Sequence, residues 1–188
     1  MMREEAKNRC SWATKELEIA YHDNVWGVPK HDEEALFAFL ILEGMQAGLS
    51  WYTILKKWDD FYVAFDSFDP NVIQHYDDEK IHHLMQNPGI IRNRLKINAT
   101  IKNAQAFLAV QKEYGSFDAY IWHFTSQKTI HNKWKTKEEV PSSSPLSEKI
   151  SKDMKKRGFN FVGPTIIYSY LQAIGVLDDH LSTCFKSM

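Results

Sequence analysis

The chain has 188 residues, of which 44% are hydrophobic and 25% charged, enough apolar material for one well-packed domain and too much for a disordered chain. Its 23 Lys and Arg against 24 Asp and Glu leave a net charge of -1. That balance excludes a protein that grips polyanions by bulk charge, although not one with a local basic face, and two cysteines exclude a disulfide scaffold.

Met1 to Arg9 is charged and lacks the apolar run of a signal peptide. The longest apolar run, Ala35 to Leu42, is too short to span a bilayer. A cytoplasmic protein without membrane contact is therefore expected. Strand signals are scarce, and the fold class is all-α. Asp32 is placed as an N-cap, with Glu33 and Glu34 favourably set in the first turn. Leu36, Phe39, Leu40 and Glu43 then repeat on one helix face. Gly44 and Gly48 fall where that helix should end or loosen, and Ser50 caps a second helix reading Ile54, Leu55, Trp58, Phe61, Tyr62 and Phe65. Short helices follow near Pro70 to Tyr76 and Asp78 to Gln86, then a turn at Asn87-Pro88-Gly89 and a long helix over Arg92 to Glu113. Phe117 to Phe124 is a further short helix, and the polar stretch Thr125 to Ser144 reads as a long loop. Pro145 opens a helix to Arg157, and after Gly163-Pro164 another runs to Ile174.

Four sets of residues could carry chemistry. Glu43 lies in register with apolar neighbours, so its carboxylate faces either a buried donor or a pocket. Trp12, Tyr21, Trp26 and Trp51 stand outside the periodic core positions. They either cover a hydrophobic core or form a stacking box for a flat, electron-poor ligand. Each cysteine has a histidine within reach along the chain, Cys10 with His22 and Cys184 with His180. Two such pairs would complete a closed tetrahedral zinc shell joining the chain ends, the alternative being two unrelated core thiols. Finally, Lys155 to Gly163 sets a basic helix end before a glycine-bounded turn and an apolar helix. This helix-hairpin-helix pattern favours contact with a DNA backbone through its amides. Arg92, Arg94 and Lys96 form a second basic group.

Taken together, Tyr21 to Pro29, Leu42 to Trp51, Ile54 to Lys57, Gly89 to Arg92, Lys155 to Gly163, and Asp179-His180 with Cys184 resemble the 3-methyladenine DNA glycosylase I family, of the helix-hairpin-helix glycosylases. The resemblance spans almost the whole chain. It implies a single helical domain over 1–188, with a helix-hairpin-helix at about 146–175 and one structural zinc snapping the termini together through Cys10, His22, His180 and Cys184. It also implies monofunctional excision of 3-methyladenine from alkylated double-stranded DNA, in the bacterial cytosol or nucleoid, with the free base as product and a monomer as the working state. Glu43 and Tyr21 would be the catalytic pair, and Trp12, Tyr21, Trp26, Glu43 and Trp51 would bind the base. Gln46, Gly48 and Leu49 would plug the duplex while Lys156, Arg157, Gly158 and Gly163 hold its backbone. Asp179 follows the hairpin helix where the wider superfamily often keeps a catalytic aspartate, and here it is expected to be structural. Two other classes compete: a helix-hairpin-helix protein that binds DNA without chemistry, and a zinc-stapled scaffold for protein partners. Neither gives Glu43 and the rings a task.

Overall fold

The computed structural model describes residues 7–187. The charged opening stretch read at Met1 to Arg9 therefore lies largely outside the described residues. Among the described residues there are ten α-helices: α1 (Glu16–Asn24), α2 (Glu33–Gln46), α3 (Trp51–Leu55), α4 (Trp58–Ala64), α5 (Pro70–Ile73), α6 (Asp78–Gln86), α7 (Arg94–Tyr114), α8 (Phe117–His123), α9 (Pro145–Lys156) and α10 (Pro164–Ala173). Two-residue strands β1 (Ile130–His131) and β2 (Leu177–Asp178) pair in parallel. No helix among the described residues is long and apolar enough to cross a membrane.

Helix α2 is the axis. Asp32 caps it by accepting from the Ala35 amide, as its sequence position requires. Every residue from Leu36 to Met45 is buried, so the helix is surrounded on all sides rather than on the single face its register suggests. Helices α3, α7, α8 and α10 pack around it. Gly44 does not end α2; it allows close approach of the turn at Phe161. Ser50 caps α3 by accepting from the Thr53 amide, but the second helix breaks at Lys56-Lys57 into α3 and α4.

Before Asp32, α1 carries Tyr21 and His22 on one helix, held at its start by Glu18, whose carboxylate accepts from the Thr14 and Lys15 amides. The stretch from Thr125 to Ser144 is the long loop its polarity suggests, and it is tied down. It straps the C-terminal segment through β1 and β2, and the Ser182 amide donates to Trp134. His180 to Cys184 is a turn rather than a helical one, so its donors converge by chain reversal and not by i,i+4 spacing. The two ends of the chain meet there. Asn8 donates to the Thr183 carbonyl at 2.6 Å, and the Phe185 amide donates to the Asn8 carbonyl at 2.8 Å.

Candidate active site

A cavity of about 410 Å³ opens between α1, α2, α3, α10 and the strap. Helix α2 delivers Glu43 and Gln46 to it, α1 delivers Glu18 and Tyr21, and α10 delivers Ser169 and Gln172. Trp12, Trp26, Trp51 and Tyr52 supply most of the remaining wall. The rings interlock: Trp12 meets Trp26 edge-on at 5.1 Å between centroids, and Tyr21 lies 5.3 Å from Trp51. Trp58 backs the set, 6.3 Å from both Tyr21 and Trp51. Edge-on packing of this kind holds each ring in place, leaving aromatic surface for a flat ligand.

Glu43 is 4% exposed, and no hydrogen bond or ion pair reaches its carboxylate among the described residues. Of the two readings open to a buried glutamate, the one with an intramolecular donor is therefore removed. Burial alone pushes its carboxyl up to about 8. Tyr21 stands beside it, and burial together with the Glu43 charge moves its phenol well above the usual range. The Trp51 indole N–H is likewise buried without an acceptor. A polar group buried without a partner inside a cavity is unfavourable in the empty protein and favours a ligand that supplies one.

Asp179 contrasts with Glu43. It lines the same cavity, yet Asn132 (2.6 Å), Trp134 (2.9 Å), Tyr168 (2.5 Å) and Gln172 (2.8 Å) all donate to it. It ties the strap to α10, in keeping with a structural role.

One wall of the cavity adjoins a second cluster. Donor atoms of Cys10, His22 and Cys184 all lie within 4.8 Å of one another, and all three residues are buried. Burial, with Cys184 alongside, pushes the Cys10 thiol up to about 12, and burial draws the His22 imidazole down. The group could hold a cation: positive charge there would bring the Cys10 thiol down, and the lowered His22 is in the neutral form that ligates a metal. His180 is not within that triad. Its Nδ1 is fixed at 2.7 Å from Asp178, its Nε2 is buried with no partner, and its ring centre is 5.1 Å from that of His22. An imidazole oriented through one nitrogen with the other left orphaned has the form of a ligand-ready histidine. His22 is oriented in the same manner by Asp23 at 2.8 Å, and Arg9 holds that carboxyl down at about 2. Gly27 permits the arrangement: its φ is +73°, and a Cβ there would come within 2.8 Å of the His180 ring. Trp26 packs 4.7 Å from His180 and Trp12 packs 5.3 Å from His22, so the cluster buttresses the aromatic wall.

A family model described as methyladenine glycosylase matches residues 12–187. The chain belongs to the methyladenine glycosylase family. As a member it is an enzyme of the DNA-glycosylase class. It is 44% identical over 177 residues to the DNA-3-methyladenine glycosylase 1 of Escherichia coli strain K12, covering 94% of this chain and 95% of that protein. A crystal structure of a 3-methyladenine DNA glycosylase I superposes with a TM-score of 0.94 at 44% identity, covering 96% of this chain and all of the other. The Staphylococcus aureus structure, reported for its recognition of 3-methyladenine, superposes with a TM-score of 0.93 at 36% identity, covering 97% and 98% of the two chains.

The structure also locates the residues expected at the DNA. Leu49 is 39% exposed at the tip of the turn after α2, with Gly48 at φ +78° and the Gln46 amide donating to the Leu49 carbonyl at 2.6 Å. The turn from Gly158 to Gly163 joins α9 to α10 and buries Phe159 and Val162 beneath it. Lys156 is exposed at its start. Arg157 is committed within the fold: it bonds Asp153 and Glu113, each at 2.7 Å, and lies 5.1 Å over the Tyr114 and Tyr120 rings. Lys96 is not part of a surface patch with Arg92 and Arg94, because it is buried and bonded to backbone carbonyls.

Sequence reading missed Trp58, Gln172 and the carboxylates Asp23 and Asp178. The last two carry a usable signal, an aspartate within two positions of a candidate histidine ligand.

Proposed function

We propose that this chain hydrolyses the N-glycosidic bond of 3-methyladenine in alkylated double-stranded DNA and releases the free base without cutting the strand. The observation that carries this reading is the carboxyl of Glu43, buried and unpartnered in a cavity walled by tryptophans. Adenine methylated at N3 is flat, is cationic while joined to the sugar, and presents an exocyclic amine. Tryptophan faces attract such a cation by roughly 0.5–2 kcal/mol. Glu43 would accept from the amine, and Tyr21 would bond the same edge. The positive charge already makes the base a good leaving group, so the protein supplies position and electrostatics rather than strong acid. The one lysine lining the cavity, Lys137, is exposed on the strap and lacks the desolvation that activates a lysine nucleophile. This supports simple hydrolysis.

To enter the cavity the nucleotide must leave the stack, at a cost of a few kcal/mol. Leu49 would fill the gap it leaves, with Gln46 and Gly48 shaping that loop. The amides around Gly158 and Gly163 would hold the backbone as a helix-hairpin-helix, with Lys156 as the phosphate cation. Arg157 would brace α9 from within. The Cys10, His22, Cys184 triad, with His180 as fourth ligand, would hold one zinc ion with no open position, a structural staple between the chain ends.

Incubation with methylated duplex DNA should liberate free 3-methyladenine, separable by chromatography, while the strand stays intact. Absence of release above a buffer control would overturn the enzymatic reading in favour of a DNA-binding module. Lys156→Ala should weaken duplex binding equally across sequences and reduce the log–log salt slope by about 0.9; an unchanged slope in a salt titration would remove Lys156 from the interface.

A further inference from the structure

The buried ammonium of Lys96 has no carboxylate partner among the described residues. It is 8% exposed, and it donates to the carbonyls of Met45 at 2.8 Å and Ala47 at 2.7 Å. Those carbonyls close the C-terminal end of α2, where the helix dipole concentrates negative charge. They also anchor the start of the loop that carries Gly48 and Leu49, whose own bonds are local: the Leu49 amide donates to the Gln46 carbonyl at 2.7 Å, and the Gln46 side-chain amide donates to the Leu49 carbonyl at 2.6 Å. The opposite end of the same buried polar stripe is equally tied. Thr100 donates to the Lys96 carbonyl, and Asn103 exchanges two bonds with the backbone of Asn160 in the turn between α9 and α10, at 2.7 and 2.9 Å. Lys96 and Asn103 lie seven residues apart on α7, about 10 Å along one rigid helix.

We infer that Lys96 is a positioning residue, which presets the Leu49 loop for insertion into the duplex and, through α7, fixes its distance from the backbone-holding turn. This rests on the function proposed above. A side chain acting this way matters when a stacked base must be displaced, and far less when the base is already free to enter the cavity.

The test compares release of 3-methyladenine from one methylated oligonucleotide presented as duplex and as single strand, using the full chain and Lys96→Met. Duplex release should fall by roughly ten-fold or more. Single-strand release and the affinity for free 3-methyladenine, read by tryptophan fluorescence, should stay within about two-fold of the parent. Lys96→Gln, too short to reach both carbonyls but still polar, should show the same split and serves if the methionine variant does not fold. Equal losses on both substrates, or unchanged duplex release, would overturn the assignment. So would a duplex salt slope lowered by about 0.9, which would make Lys96 a direct phosphate contact. A parent protein inactive on both substrates would instead overturn the glycosylase reading itself.

Discussion

Glu43→Gln should lower release of 3-methyladenine from duplex DNA by roughly 10²–10³-fold, the usual effect of deleting one preorganised electrostatic contact, because the cationic base favours an ionised carboxyl that Gln cannot supply; the folded protein, empty, gains stability. The two effects share a cause. The carboxyl sits at about 8 in the folded chain against the ordinary value of 4.5. Between those values the unfolded chain has released its proton and the folded chain has kept it, so ionisation favours unfolding as pH rises. At pH 7 the parent is therefore penalised by roughly 3 kcal/mol relative to a neutral side chain, and near pH 4 the penalty vanishes. Chemical denaturation of parent and variant at several pH values checks this: the gap should widen from pH 4.5 to pH 8 and then level. A gap independent of pH, or parental release rates, would remove Glu43 from its role.

Loss of the proposed zinc should be felt both at the chain ends and in the proposed base pocket. Protein purified without chelators is expected to carry about one zinc per chain, and less than roughly half an equivalent by elemental analysis would reject the staple. Chelation or Cys184→Ser should remove on the order of 4 kcal/mol, a fall of roughly 8–16 °C in melting temperature for a chain of this size. Because Trp26 and Trp12 pack on His180 and His22, affinity for free 3-methyladenine should weaken in the same sample. A fall in stability with unchanged affinity for the base would show that the two clusters are mechanically independent.

Much of this is legible in the sequence. Local capping chemistry marked α2, α3 and α9, since Asp32, Ser50 and Ser144 act within three residues of themselves. The zinc candidates are visible because the chain has only two cysteines and each has a histidine close to it in sequence. Other features depend on tertiary contact and leave little trace in order or composition. Glu43 was picked by its register, yet α2 is buried on every side, so register alone does not say which side opens on a cavity. Lys96 looked like part of a basic surface because Arg92 and Arg94 stand near it in sequence, but its ammonium is consumed by carbonyls about fifty residues upstream. The strap was missed because what orders it is Asp179 and β2, nearly fifty residues downstream, rather than any periodicity of its own.

The saturation of Asp179 bears on what the protein leaves alone. A carboxylate already accepting from four donors has no lone pair to spare for activating water. Under the proposed function, the protein opens bonds that the lesion's own charge has already weakened. Ordinary purines, stable on their sugars, would then be protected less by a pocket that refuses them than by the weakness of a protein that supplies position rather than acid. In a genome where undamaged bases vastly outnumber lesions, that weakness is a form of accuracy.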